Sequence, residues 1–373
     1  MVLKQHSPIP ISDIVFSGNE QRYVNEAVAS TWVSSTGYYI NKFEESFAKR
    51  MGASHAVSVN NGTSALLLAL KALNIGPGDE VIAPTFTFAA TVNAIIYSGA
   101  TPVLVDSMPN HWNIDATRVE EAITPATRAI IPVHLYGHPC DMKEILRIAE
   151  IYKLYVIEDA AEAHSADCMD KKVGTLGTIG CFSFYANKII TTGEGGMCIT
   201  QDVGINERLR VLRDHGMNKN KRYWHDDIGF NFRMTNLNAA LGVAQLEQLD
   251  TFLERRKFLS AIYDERLVGL PHIAEPKESL FGSPVHWLYC IFLKDSSPID
   301  RDEFLVKLEE YKIDARPTFY PVHTMPPYRE IKRSKNMLNA EKYSSTGINL
   351  PVHPSLADKD VYYIIEAITK IFS

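Results

Sequence analysis

Between residues 55 and 200 the chain alternates short apolar runs with segments whose apolar residues recur at helical spacing. The runs cover 55–59, 80–83, 102–105, 129–133, 155–157, 181–184 and 196–199. Most are continuously apolar, as strands buried on both faces of a mostly parallel sheet are. Helices are predicted between them at 64–73, 89–97, 115–122 and 142–152, each introduced by Thr, Asp or another polar capping residue. The pattern is that of an α/β sandwich.

Residues 236–267 read as one long helix, because Leu237, Leu241, Ala244, Leu246, Leu249 and Phe252 keep helical spacing with charges between them. After Gly269-Leu270-Pro271 the pattern changes to a few strands, such as 287–292, and to helices at 301–311 and 358–371. This predicts a smaller α+β C-terminal domain. The expected organisation is therefore an N-terminal segment, 1–35, packing on the small domain, a large domain over 36–245 and a small domain over 246–373.

Composition narrows the classes of function. A chain of 373 residues with 46% hydrophobic and 22% charged residues can bury more than one core and is not a mainly disordered protein. Its formal net charge of −6 supplies no global basic field for nucleic acid or an anionic membrane. The five cysteines are odd in number and widely spaced, without a Cys-x-x-Cys, which speaks against a disulfide framework or a metal site. Nothing approaches the roughly 18 uninterrupted apolar residues of a membrane span, and the first twelve residues do not form a signal peptide, so a cytoplasmic protein is expected. The basic cluster Lys332-Arg333-Ser334-Lys335 reads as a solvated surface segment.

Candidate chemistry gathers where strands end. Asn60-Asn61-Gly62-Thr63-Ser64 joins a strand to a helix, where backbone amides and a hydroxyl could cradle a phosphate. A polar turn capped by Ser or Thr accounts for the same residues. In Pro84-Thr85-Phe86-Thr87-Phe88 an aromatic could stack on a flat ring or simply join the core. Glu158-Asp159-Ala160-Ala161-Glu162-Ala163-His164 crowds ionisable groups among alanines, which suits either a ligand or a buried ion network. Lys188 precedes the glycine-rich turn Thr191-Thr192-Gly193-Glu194-Gly195-Gly196, a turn that has no need of a lysine. Its amine could hold an aldehyde cofactor covalently, with Asp159 keeping a pyridine nitrogen protonated and Ser183 donating to a phosphate.

Together these motifs resemble the DegT/DnrJ/EryC1/StrS family of sugar aminotransferases over almost the whole chain. The resemblance implies a fold-type I enzyme dependent on pyridoxal 5′-phosphate (PLP), with a seven-stranded, mostly parallel mixed sheet. It implies that Lys188 holds the cofactor, Asp159 meets the pyridine nitrogen, Glu162 lies near the phenolic oxygen and Phe88 covers the ring. Gly62, Thr63, Ser64 and Ser183 fall at the phosphate positions, and Asn231 reaches the phosphate from a neighbouring subunit in a homodimer that shares its active sites. Glu162 stands where many members carry glutamine, and His353 stands where members acting on GDP-linked sugars can carry an apolar residue.

The stretches Tyr223-Trp224-His225-Asp226, Gly229 to Asn236, Arg316 to Pro326 and Gly347 to Pro351 resemble members acting on GDP-linked sugars most. The implied reaction moves the amino group of L-glutamate through the pyridoxamine form to the C4 ketone of a nucleotide-linked 4-keto-6-deoxyhexose. GDP-4-keto-6-deoxy-D-mannose is favoured over UDP- or dTDP-linked 4-keto-6-deoxyglucose, and the product would serve O-antigen or other surface glycans. His225, Arg316, Tyr320 and His323 are candidate contacts to the sugar nucleotide. Two other classes are weighed: a 3-dehydratase of the same fold, which carries histidine at the Lys188 position, and an idle sugar-nucleotide binding protein. The intact Lys188, Asp159 and Ser183 speak against both.

Overall fold

The computed structural model describes residues 7–274, 280–334 and 336–372. The start of the expected N-terminal segment and Lys335 of the basic cluster lie outside those residues. The first nine strands are β1 His55–Val59, β2 Glu80–Pro84, β3 Thr101–Val105, β4 Thr127–Ile130, β5 Tyr155–Asp159, β6 Asp167–Cys168, β7 Lys171–Lys172, β8 Ile179–Ser183 and β9 Gly196–Thr200. Seven of them form one sheet in the order β1-β9-β8-β5-β4-β2-β3, and β6 and β7 form a separate hairpin. Only β9 runs against the others. The carboxyl ends of β1, β2, β5 and β8 consequently share one edge, where α/β proteins bind ligands.

Helices cover both faces. They are α1 Glu20–Ala29, α2 Tyr38–Met51, α3 Gly62–Ala72, α4 Ala89–Ser98, α5 Ala116–Glu121, α6 Met142–Tyr152, α7 Val203–Arg213, α8 Asn236–Glu247 and α9 Leu249–Leu267. Side chains of one strand alternate between two cores: Val81 and Ala83 join Leu66, Leu70 and Ile157 on one face, whereas Ile82 joins Phe47, Val105 and Val156 on the other. This double burial explains the continuous apolar runs. The strand expected at 129–133 is found at 127–130, since Pro132 has no N–H for the ladder.

The expected continuous helix over 236–267 is two helices. Gln248, at φ −96° and ψ −5°, closes α8 by donating its N–H to Gln245 O at 3.1 Å, and α9 starts at the next residue. The apolar stripe runs on across this joint through Ala244, Leu249 and Phe252, so the spacing alone gave no sign of it.

The remaining elements are β10 Tyr289–Phe292, α10 Arg301–Glu310, β11 Arg316–Pro317, α11 Leu338–Thr346, β12 Gly347–Leu350 and α12 Asp358–Ile371. Their antiparallel sheet, ordered β10-β12-β11, shares a third core with α9, α10 and α12 through Leu259, Tyr263, Ile291, Phe304, Ile348 and Ile364. Ile9 belongs to this core, but Tyr23 and Ala27 of α1 belong to the core of the large sheet. Trp287 and Leu288, expected in the same strand, lie outside the β10–β12 register; Trp287 instead pairs through its N–H with Tyr136 beside the large sheet.

Candidate active site

A cavity of about 490 Å³ opens at the shared sheet edge. Its wall includes Gly62, Thr63, Phe88, Asp159, Glu162, Ser183 and Lys188, all expected from the sequence. Four strand ends on one edge of the sheet, and the loops that follow them, deliver these residues. Gly62 and Thr63 follow β1 and begin α3, Phe88 follows β2, Asp159 ends β5 and Ser183 ends β8.

The first turn of α3 is built for close approach. Asn61, and not Ser or Thr, is its cap: the Asn61 carboxamide oxygen accepts from Ser64 N–H at 2.8 Å. Ser64 thereby has its amide committed and is not part of the cavity wall. A Cβ on Gly62 would lie 2.8 Å from Ser183 Cβ, so glycine is what allows the helix start and the end of β8 to meet. Amides at a helix N-terminus beside the Thr63 and Ser183 hydroxyls make a pocket of neutral donors suited to a phosphate.

The ionisable residues of the 158–164 run separate by role. Glu158 is fully buried away from the cavity, accepting from the N–H groups of Gly174, Leu176 and Gly177 at 2.7, 2.8 and 2.6 Å. Asp159 faces the cavity, with one oxygen accepting from the Thr91 hydroxyl at 2.8 Å and the other from Ala161 N–H at 3.2 Å. Burial raises its pKa, against the pull of Thr91, Ala161 and the Lys188 charge. A buried carboxyl with this upward push is relieved by a cationic N–H donor, which is what a protonated pyridine offers.

Lys188 Nζ lies 3.2 Å from Glu162 Oε1 and 3.8 Å from the centroid of the Trp287 indole. Glu162 also accepts from Tyr136 N–H at 2.8 Å, and burial raises its pKa while Lys188 draws it down. His164 stands between the rings of Phe182 and Phe184, where burial first and the Lys188 charge second lower its pKa to about 3. It is a neutral packing residue. The donor set fits PLP at each end: neutral donors for the phosphate, Asp159 for the ring nitrogen, a lysine amine for the aldehyde and the half-exposed Phe88 ring beside them.

Several residues of the wall or directly behind it are not marked by the sequence. Thr91 and Thr87 support Asp159 from the start of α4, their hydroxyls 3.1 Å apart. Tyr136, held at φ 55° in the turn after β4, presents its N–H to Glu162 and its hydroxyl to the Phe319 N–H. Trp287 and Phe319 come from far along the chain, so only the pairing of the 285–287 strand-like arm with Tyr136 and Gly137 could have brought them to notice.

The remaining candidates lie off this wall. Asn231 is exposed and accepts from Arg233 Nε at 3.1 Å. His225 Nδ1 meets His215 O at 2.9 Å, and Arg316 is tied to the Asp314 carboxylate. Tyr320 is half exposed, its hydroxyl accepting from Arg301 Nη2 at 3.2 Å. His323 is buried with both ring nitrogens engaged, by Thr85 Oγ1 at 2.7 Å and Glu341 Oε1 at 3.1 Å. Among the described residues, no group of three or more His, Cys, Asp or Glu side chains could hold a metal ion, and no helix is long and apolar enough to cross a membrane.

Comparison with known proteins gives the family of the chain. Residues 16–369 match the DegT/DnrJ/EryC1/StrS aminotransferase family. The chain is 46% identical to the GDP-perosamine synthase of Caulobacter vibrioides, over 95% of both proteins. It superposes on DesV from S. venezuelae with a TM-score of 0.90 at 36% identity, covering 95% of this chain and 94% of that one. A putative sugar aminotransferase from Streptococcus pneumoniae, solved in both a PLP form and a PMP form, has a TM-score of 0.91, with 98% of each chain covered, at 27–28% identity. The chain belongs to the DegT/DnrJ/EryC1/StrS aminotransferase family.

Proposed function

We propose that this chain is a PLP-dependent aminotransferase that moves the amino group of L-glutamate to the C4 ketone of GDP-4-keto-6-deoxy-D-mannose, giving GDP-perosamine. The observation that carries the reading is the lysine amine of Lys188 in one cavity with the buried carboxyl of Asp159. The GDP-sugar is favoured by the likeness to a GDP-perosamine synthase over nearly the whole chain.

When bound, PLP supplies an aldehyde carbon for the amine and a ring that accepts electrons from the substrate carbon. The chain's residues do the rest. Asp159, fixed by Thr91 and Ala161, holds the proton on the ring nitrogen and so keeps the ring electron-poor. Gly62, Thr63 and Ser183 anchor the phosphate, with Ser64 backing the same turn, and Phe88 limits the tilt of the ring. Glu162, oriented by Tyr136 N–H, sits within reach of Lys188 and orders the side of the site that carries the phenolic oxygen. Lys188 is the proton carrier: once its amine is free, it removes the proton from the glutamate α-carbon, and it performs the reverse transfer on the sugar C4.

Asn231, exposed and outside its own chain's cavity, is proposed to complete the phosphate site of a second copy in a homodimer. The exposed His225, Arg316 and Tyr320 are proposed contacts for the nucleotide, while His323, with both nitrogens engaged, supports Thr85 from within. A cytoplasmic location suits a pathway that uses soluble nucleotide sugars.

Adding glutamate to the PLP-loaded protein should bleach its visible cofactor band as the pyridoxamine form appears; an unchanged spectrum would reject the aminotransferase reading. Asn231→Ala should weaken PLP retention in a protein that sediments as a dimer. Full retention would remove Asn231 from the site.

A further inference from the structure

Trp287 enters the cavity on the arm that precedes β10, and its backbone is held from two directions. Its N–H donates to Tyr136 O at 3.0 Å, and its carbonyl accepts from Arg256 Nη1 at 2.9 Å. Arg256 is buried, and the same nitrogen is shared with the carbonyls of His286 and Val352, each at 3.3 Å. Gly137 makes the approach possible. It sits at φ +90°, and a Cβ there would lie 2.9 Å from Val285 Cγ2 and 3.0 Å from the backbone nitrogens of His286 and Trp287.

The indole so delivered meets Lys188 twice. Its Nε1–H donates to the carbonyl of Asn187, the residue before Lys188, at 2.7 Å, and its face lies 3.8 Å from Lys188 Nζ. The ring is also parallel to Tyr136 within 9°. An amine that leaves the cofactor in the first half-reaction and returns only at the end of the second needs a resting place while free. A carboxylate alone would grip the ammonium and compete for its proton. An aromatic face attracts the ammonium weakly and accepts no proton.

We propose that Trp287 is a positioning residue for Lys188, its ring face holding the free amine within the cavity where PLP would be bound and its Nε1–H fixing the backbone that carries it. The proposal rests on the PLP reading. In the capture step the Lys188 ammonium first gives one proton to solvent, the neutral Nζ attacks the aldehyde carbon, the C–N double bond forms, and the aldehyde oxygen leaves as water with the two remaining amine protons. Trp287 changes the rate of that step through the placement of Nζ and takes no proton itself.

The test follows PLP capture by apo protein, read as growth of the visible band in stopped flow, so it needs no amino donor and no sugar. Trp287→Leu should slow the first-order capture step about 10-fold, while Trp287→Phe, which keeps the ring face but loses the tie to Asn187, should stay within about 3-fold of the parent. In a Lys188→Ala background, Trp287→Leu should leave non-covalent PLP affinity, measured by equilibrium dialysis, within about 2-fold. Capture by Trp287→Leu at the parental rate would overturn the proposal. So would an equal loss of non-covalent affinity in the Lys188→Ala background, since that would mark Trp287 as a wall of the cavity only. Absence of glutamate turnover in the parent, with these capture rates as expected, would instead overturn the aminotransferase reading alone.

Discussion

In the proposed reaction Lys188 and Asp159 divide the work at the residue scale: one moves a proton, the other holds one still. Removing the amine should therefore separate binding from turnover. Lys188→Ala is expected to fold and to keep PLP non-covalently through the donors at Gly62, Thr63 and Ser183, with turnover lost by at least about 1,000-fold. Dialysis and steady-state assay of the same sample check both halves; retained turnover would remove Lys188 from the chemistry. Which residues could be named in advance followed from local pattern. Gly62, Asp159 and Ser183 each sit at or just past the end of an apolar run, where ligands bind in such a sheet, and Lys188 stands in the loop between two such runs, before a glycine-rich turn that has no need of a lysine. Thr91 carries no such mark, because a threonine at a helix start reads as an ordinary first-turn residue until Asp159 is found against it. Trp287 was harder still: it looked like part of a strand, and its contact with Lys188 spans about a hundred positions of sequence.

At the scale of elements, the decisive junction is β1 to α3 against the end of β8. Gly62→Ala would drive a methyl group against Ser183 Cβ at 2.8 Å and Ser183 Cα at 3.3 Å, and a strand end in the middle of a sheet cannot easily retreat. PLP affinity should fall about 10-fold or more, with stability lowered by about 1–3 kcal/mol. Fluorescence titration and urea unfolding report the two effects, and an unchanged affinity would mean that Gly62 lies off the phosphate path. The strands and most helices of the large sheet were legible because double burial writes continuous apolar runs into the sequence. The joint between α8 and α9 was not, since a helix can change direction at Gln248 without breaking its apolar stripe. Helix α7 also escaped the sequence reading: it buries only Leu209 and Leu212 and holds its place largely through Arg210 and Arg213, which reach Glu44 of α2 at 2.9 and 2.7 Å.

On the scale of the whole molecule, four histidines whose pKa is lowered by burial, His138, His164, His286 and His353, tie folding to pH. Burial lowers the pKa of His138 well below its ordinary value, that of His286 to about 4 and that of His164 to about 3. Each binds a proton more readily unfolded, at about 6.5, so its contribution to stability is present above that pH and drains away as pH falls toward the folded values. Asp159 and Glu162, raised by burial, act in the opposite sense. Urea midpoints measured from pH 7.5 to 5 should therefore fall, with His164→Gln reducing the slope by up to about 1.4 kcal/mol per pH unit; a slope unaffected by that substitution would show that His164 titrates normally. The proposed reaction passes one nitrogen atom from glutamate to a sugar. Incubating the PLP-loaded protein with nitrogen-15 glutamate and GDP-4-keto-6-deoxy-D-mannose, beside the UDP- and dTDP-linked 4-keto-6-deoxyglucoses, and weighing the products by mass spectrometry tests it directly. The account predicts a labelled GDP-4-amino-4,6-dideoxymannose formed fastest of the three; a GDP-sugar recovered unlabelled and unchanged would contradict it.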